Sequence, residues 1–114
     1  MSRWFSRPVL VIETVGRRSG KVRRTPVIYM ERADDIVVIA ANGGSHHTPA
    51  WWLNLREAGR GRVTLHGESF DVTARVAVGA EREELWAEFA KGYPPVEEYV
   101  TFTDRELPVV VLSR

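Results

Sequence analysis

The sequence predicts a mainly β fold of the α+β class, with six antiparallel strands curled into a barrel and two to three helices at its flanks. Three observations predict it. Short β-branched or alternating segments follow one another with turn residues between them. Two segments carry a clear helical period. The strands are joined mostly by short turns, which favours antiparallel pairing over the strand–helix alternation of a doubly wound sheet. Six short strands with apolar inner faces remove their edges by closing on themselves.

Val9–Val15 is apolar and β-branched and runs straight into a Gly-Arg-Arg-Ser-Gly-Lys turn. Pro26–Met30 and Ile36–Ala41 are the second and third strands, separated by the charged segment Glu31–Asp35. The stretch from Asn42 breaks the strand pattern. Thr48 and Pro49 then supply an N-cap and a first-turn proline for a helix to about Glu57, with Gly59 as its stop. Arg62–His66 and Ser69–Val78 form a hairpin around Gly67 and Glu68. Alternation in the second arm places Phe70, Val72, Ala74 and Val76 on one face and Asp71, Thr73 and Arg75 on the other. Glu81–Lys91 is an amphipathic helix whose buried stripe is Leu85, Trp86, Phe89 and Ala90, and Gly92 ends it. Residues 93–106 are irregular or briefly helical, and Leu107–Leu112 is the closing strand.

The chain of 114 residues suits one domain, 1–114, with no internal repeat or linker. Hydrophobic residues at 44% and charged residues at 27% place it with globular proteins rather than disordered or coiled-coil ones. Five cations crowd into Arg17–Arg24, yet the formal net charge is only +1. The basic cluster is therefore local, which argues against a general polyanion binder and against nucleic acid as a partner. No cysteine is present, so disulfides, iron–sulfur clusters and thiolate zinc sites are excluded. No apolar run has the length of a secretory signal or a membrane span, so the expected location is the cytoplasm, or the membrane periphery without stable insertion.

The basic turn fails as a nucleotide P-loop. Gly16 and Gly20 enclose three residues rather than four, Val22 follows the lysine, and a strand comes next. No G-x-G-x-x-G occurs. What survives is a backbone that a ligand can approach closely, beside planar guanidinium forks suited to phosphate or carboxylate. Arg17, Arg18, Ser19, Lys21 and Arg23 can thus form an anion site, or simply a solvated hairpin tip. In the second loop, the small Ala40 and Ala41 at a strand end leave room for a flat ring. The backbone amides of Asn42, Gly43 and Gly44 can donate to its edge, and Trp51 can wall it. Alternatively, the adjacent tryptophans divide between core and rim, with Asn54 a surface polar residue. His46 and His47 do not make a metal site, because zinc needs three or four convergent ligands and His66 lies far along the chain. No cysteine nucleophile and no G-x-S-x-G motif is present. Tyr93 and Tyr99 flank an apolar stretch and can line a pocket or pack.

The segments TVGRRSGKVRRTPVIYM, IVVIAANGGSHHTPAWWLNL, YPPVEEY and TDRELPVVVL occur in this order across nearly the whole chain. Together they resemble the deazaflavin-dependent nitroreductase and quinone reductase family of actinobacteria. The resemblance implies a split β-barrel related to the FMN-binding oxidoreductases. It also implies coenzyme F420, a deazaflavin with a phospholactyl polyglutamate tail, as cofactor. By position, Arg17, Arg18, Ser19, Gly20 and Arg23 would hold the phosphate and acidic tail, and Thr25, Pro26 and Val27 would border the ring. Ala41, Asn42, Gly43 and Gly44 would supply ring-edge contacts, with Trp51, Trp52 and Asn54 shaping the rest. The implied reaction is hydride transfer from reduced F420 to a quinone-like or other electron-poor acceptor; the candidate proton donors to the reduced acceptor are Tyr99, Tyr93 and water, in that order. The protein would act as a monomer or homodimer. FMN in place of F420, lipid binding without turnover, and a nucleic-acid module are the alternative readings. Two positions depart from the family pattern: Val96 stands at the middle of the tyrosine motif, and Ala41 where some members have serine. Both argue against activity on nitroimidazoles. The first strand lies close to residue 1, so a more open site, or one completed by a partner chain, is expected.

Overall fold

The computed structural model describes residues 9–41, 48–100 and 106–114. Six strands close a barrel: β1 (Val9–Val15), β2 (Val22–Arg32), β3 (Asp35–Ile39), β4 (Arg60–Leu65), β5 (Glu68–Val76) and β6 (Val109–Ser113). Around the barrel they run β1-β2-β3-β6-β5-β4, every neighbour antiparallel. Helix α1 (Ala50–Ala58) links β3 to β4, and α2 (Gly79–Gly92) with α3 (Pro95–Tyr99) lies between β5 and β6. The mainly β barrel expected from the sequence is the fold observed.

Two apolar clusters follow from the strand patterns. Inside the barrel lie Leu10 and Ile12 of β1, Ile36 and Val38 of β3, Val63 and Leu65 of β4, Val72 of β5, and Val110 and Leu112 of β6. Helix α1 inserts Trp51, Trp52 and Leu55 into the same cluster, so it plugs the barrel. The alternate residues of β3 and β6, Val37, Ile39, Val109 and Val111, point outward and are covered by Leu85, Phe89 and Ala90 of α2 and Val96 of α3. Burial on both faces is why these two strands read as unbroken apolar runs.

Several boundaries differ from the expected ones. Strand β2 begins at Val22 rather than Pro26, because Val22–Ile28 pairs with β1 throughout. Pairing of β2 with β3 begins only at Tyr29. Pro26 therefore interrupts no ladder with β3, the edge position a proline in a strand requires. Helix α1 takes Pro49, not Thr48, as its N-cap, without a side-chain cap. The carbonyl of Pro49 accepts from the amides of Trp52 and Leu53. Gly59 ends the helix in the left-handed conformation, φ 77°, as expected. The β4–β5 turn is centred on His66 and Gly67, φ 52° and 78°, rather than on Gly67 and Glu68. Two consecutive positive φ values match the right-handed twist of a tight hairpin. The alternating face of β5 holds through Phe70, Val72 and Ala74 but fails at Val76, which is 40% exposed where the strand leaves the barrel. Strands β3 and β6 are shorter than expected at their site-facing ends, and α2 begins two residues earlier, at Gly79.

Candidate functional site

The elements converge on a cleft of about 270 Å³. Its floor is the stretch Thr25–Ile28 of β2, just before that strand gains its β3 partner. Ile39 and the small Ala41, where β3 runs out, form a second side, and Trp51 in the first turn of α1 a third. Phe89 and Tyr93 from the end of α2, with Val96 and Tyr99 of α3, complete it. Thr25, Pro26, Val27, Ala41, Trp51, Tyr93 and Tyr99, singled out from separate stretches of sequence, are thus brought together. The sequence reading did not assign Ile28, Ile39, Phe89 or Val96 to the site. Phe89 was legible as part of a buried stripe, but nothing local says which cavity that stripe borders.

The two tyrosines are built as a unit. Tyr93 caps the C-terminus of α2, its amide donating to the Phe89 carbonyl, and its own carbonyl accepts from the amide of Val96. This tight corner brings the Tyr93 and Tyr99 hydroxyls to 2.6 Å of each other, with the rings edge to face at 6.2 Å. Among the described residues that line the cleft, Thr25 is the other with a polar side chain, and the rest are apolar.

One helical turn beyond Trp51, Asn54 is 4% exposed, so it is not a surface residue. Its Oδ1 accepts from the backbone amide of Arg17 at 3.1 Å and from Arg17 Nη1 at 2.8 Å, while Nδ2 lies 3.5 Å from Thr14 Oγ1. Asn54 is therefore committed to holding the β1–β2 loop on α1. Trp52, 3% exposed, stands behind Trp51 in the barrel interior, ring centroids 6.4 Å apart, and does not line the cleft. Neighbouring residues on a helix point about 100° apart, so only one of the pair faces the cleft.

The loop itself is closed by Gly16 and Gly20. The Gly16 amide donates to the Lys21 carbonyl at 2.7 Å and the Gly20 amide to the Gly16 carbonyl at 2.9 Å. A Cβ on Gly16 would lie 2.7 Å from Ser19 Oγ, which itself accepts from the Lys21 amide. Arg24 is neutralised by Glu13 across β1–β2 at 3.0 Å. Arg18, Lys21 and Arg23 are exposed, and among the described residues no carboxylate pairs with them. Among the described residues, then, Arg18 and Lys21 of the loop and Arg23 at the start of β2 carry charges that no carboxylate meets, beside a loop fastened one turn from the cleft.

Asn42, Gly43, Gly44, His46 and His47 lie outside the described residues. Among the described residues no three His, Cys, Asp or Glu side chains gather as for a metal, and no helix is long and apolar enough to cross a membrane. A larger surface concavity of about 700 Å³ is bordered by Glu13, Arg60, Arg62 and Asp71. Register sets Arg62 between Glu13 and Asp71, so charges of both signs alternate along its wall. Away from the cleft, burial raises the pKa of Tyr29, with Glu31 adding to the effect, and the Tyr29 hydroxyl lies 3.4 Å from His66 Nε2.

A family model described as F420H(2)-dependent quinone reductase matches residues 1–114. Rv3178 of Mycobacterium tuberculosis, provisionally named for that activity, is 29% identical over 105 residues, 92% of this chain and 88% of that protein. A solved structure of an F420-H2 dependent reductase, FDR-A, superposes with a TM-score of 0.83 at 34% identity, covering 94% of this chain and 95% of that one. A second, described as a domain-swapped dimer, superposes with a TM-score of 0.84 at 34% identity, over 94% of this chain and 81% of that one.

Proposed function

The chain belongs to the F420H(2)-dependent quinone reductase family, and from that premise we propose that it uses coenzyme F420 to reduce a quinone or similarly electron-poor ring. One observation carries the reading. Four segments distant in sequence meet at one largely apolar cleft of about 270 Å³, a helical turn from a basic turn whose Arg18, Lys21 and Arg23 pair with no carboxylate among the described residues. These parts fit the cofactor. Apolar walls and the small Ala41 suit a flat ring, and Arg18, Lys21 and Arg23 suit an anionic tail.

When bound, the reduced deazaflavin supplies a hydride to the acceptor. The chain's own residues do the rest. Thr25–Val27 and Trp51 would hold the cofactor's ring, and the apolar side chains of Val27, Ile28, Ile39 and Phe89 would shield it in part from water. Arg17, fixed through Asn54, sets the loop so that Arg18, Ser19 and Arg23 meet the tail. In the tyrosine pair one hydroxyl donates to the other, and the accepting hydroxyl keeps an O–H of its own. Tyr99, with Tyr93 behind it, is the proton donor to the reduced acceptor. No protein nucleophile takes part.

The test is calorimetric titration with F420 and with FMN, followed by anaerobic oxidation of reduced F420 by menadione, read by absorbance. F420 is expected to bind and its reduced form to be consumed. Binding of FMN alone would overturn the proposal.

A further inference from the structure

In an antiparallel ladder, residues that exchange backbone hydrogen bonds with the partner alternate with residues whose N–H and C=O point the other way. The Gly16 amide donates to the Lys21 carbonyl, so Lys21 is directed at β1. The register from there to Val9↔Ile28 is unbroken. Counting in twos, Arg23, Thr25 and Val27 also direct their backbone groups at β1, opposite Thr14, Ile12 and Leu10. Val22, Arg24 and Pro26 direct theirs to the opposite edge. Among the described residues β3 pairs along that edge only from Tyr29 onward, so Val22, Arg24 and Pro26 face no strand there. Thr25, Pro26, Val27 and Ile28 all line the cleft, which makes this edge part of its wall. Pro26 shows that wall a carbonyl and no N–H, where any other residue would offer a donor.

A proline on a free strand edge guards it against pairing with another chain. Its place in the cleft wall has a second consequence. A flavin carries a nitrogen acceptor at position 5 of its central ring, and a deazaflavin carries C–H there. Burying an acceptor that finds no donor costs affinity, whereas C–H needs none. We propose that Pro26 lies against position 5 of the bound ring and, by withholding an amide, selects rings with carbon there over rings with nitrogen. This rests on the cleft holding the cofactor ring, as proposed above, and it names the residue that distinguishes the two ring chemistries.

The test compares oxidised FMN with 5-deaza-FMN, which differ only at position 5, as competitors that displace oxidised F420 from the protein in calorimetric titration. The parent should bind 5-deaza-FMN about three- to tenfold more tightly than FMN, the worth of one hydrogen bond left unmade. Pro26→Ala, which restores the amide, should erase or reverse that preference by tightening FMN and not 5-deaza-FMN. Melting followed by circular dichroism verifies that the variant is folded, and the ratio in the parent decides by itself should it not be. Equal affinity of the two analogues in the parent overturns the inference while the use of F420 stands. So does displacement of F420 by neither, because something other than position 5 then excludes both. A preference for 5-deaza-FMN that persists in folded Pro26→Ala also overturns it, and leaves Pro26 a guard of the edge alone. Failure of F420 to bind overturns the reading of the cleft, and this one with it.

Discussion

Arg18 and Asn54 separate holding the cofactor from holding the loop. Arg18 is exposed and unpaired among the described residues, so its proposed role is a charge-assisted contact and little else. Arg18→Ala is expected to weaken F420 affinity by about 1.5 to 3 kcal/mol, while the rate at saturating cofactor stays near that of the parent. Calorimetry and steady-state kinetics on the same preparation check both halves. Asn54, in contrast, satisfies two donors of Arg17 from a buried position. Asn54→Ala leaves the Arg17 amide without its acceptor and should lower stability by about 1 to 3 kcal/mol in urea unfolding, with cofactor affinity falling as well. Tyr99→Phe should cut acceptor reduction by about 10²-fold with F420 binding retained, and a solvent isotope effect on the remaining rate would locate the proton step. The sequence displayed Arg18 and Tyr99 openly as motif residues. It did not display what Asn54 does, because a partner 37 positions away leaves no local signature.

Helix α1 carries the architecture and the site together: Trp52 and Leu55 plug the barrel, Trp51 walls the cleft, and Asn54 fastens the loop. Its seat depends on Gly61, since a Cβ there would lie 2.9 Å from Leu55 Cδ1 and 3.1 Å from the Glu13 carbonyl oxygen. Gly61→Ala should therefore destabilise the fold by about 1 to 3 kcal/mol, measured by chemical denaturation, even though alanine is small. Helix α2 is tied to the barrel by charge. Arg75 grips Glu81 through both carboxylate oxygens at 2.6 and 2.8 Å, Arg32 engages Glu84 and Glu88, and Arg82 donates to the Leu107 carbonyl. The hydrogen bond from Arg75 holds the Glu81 pKa below the ordinary carboxylate value. A depressed carboxylate pKa contributes stability above the unfolded pKa, and that contribution fades as pH falls through the folded one. Glu81→Gln should accordingly lower the melting temperature slightly at neutral pH, and the difference from the parent should vanish in acid. The pair is exposed, so the effect is small. The segment Tyr93–Glu106 was legible only as irregular or briefly helical. The capped corner that makes Tyr93 and Tyr99 neighbours depends on backbone geometry that residue types alone do not specify.

At the scale of the whole molecule, hairpins such as β1–β2 and β4–β5 form locally, whereas closure needs the distant pairings β1–β4 and β3–β6. Those pairings are worth forming because α1 fills the interior. Leu55 is fully buried, and Leu55→Ala is expected to cost about 2 to 5 kcal/mol in urea unfolding. The sequence by itself determined the succession of strands and helices, the continuous apolar runs that became β3 and β6, the local basic turn, and the motifs that resemble the family. Such features arise from periodicity, turn chemistry and residue type acting over a few positions. Tertiary structure alone decided that β2 lacks a β3 partner along Val22–Ile28, that Trp51 rather than Trp52 faces the cleft, and that Asn54 clamps Arg17. Each of these depends on which surfaces meet when the barrel closes, and closure is set by the fit between residues far apart in the chain rather than by the propensity of any one segment.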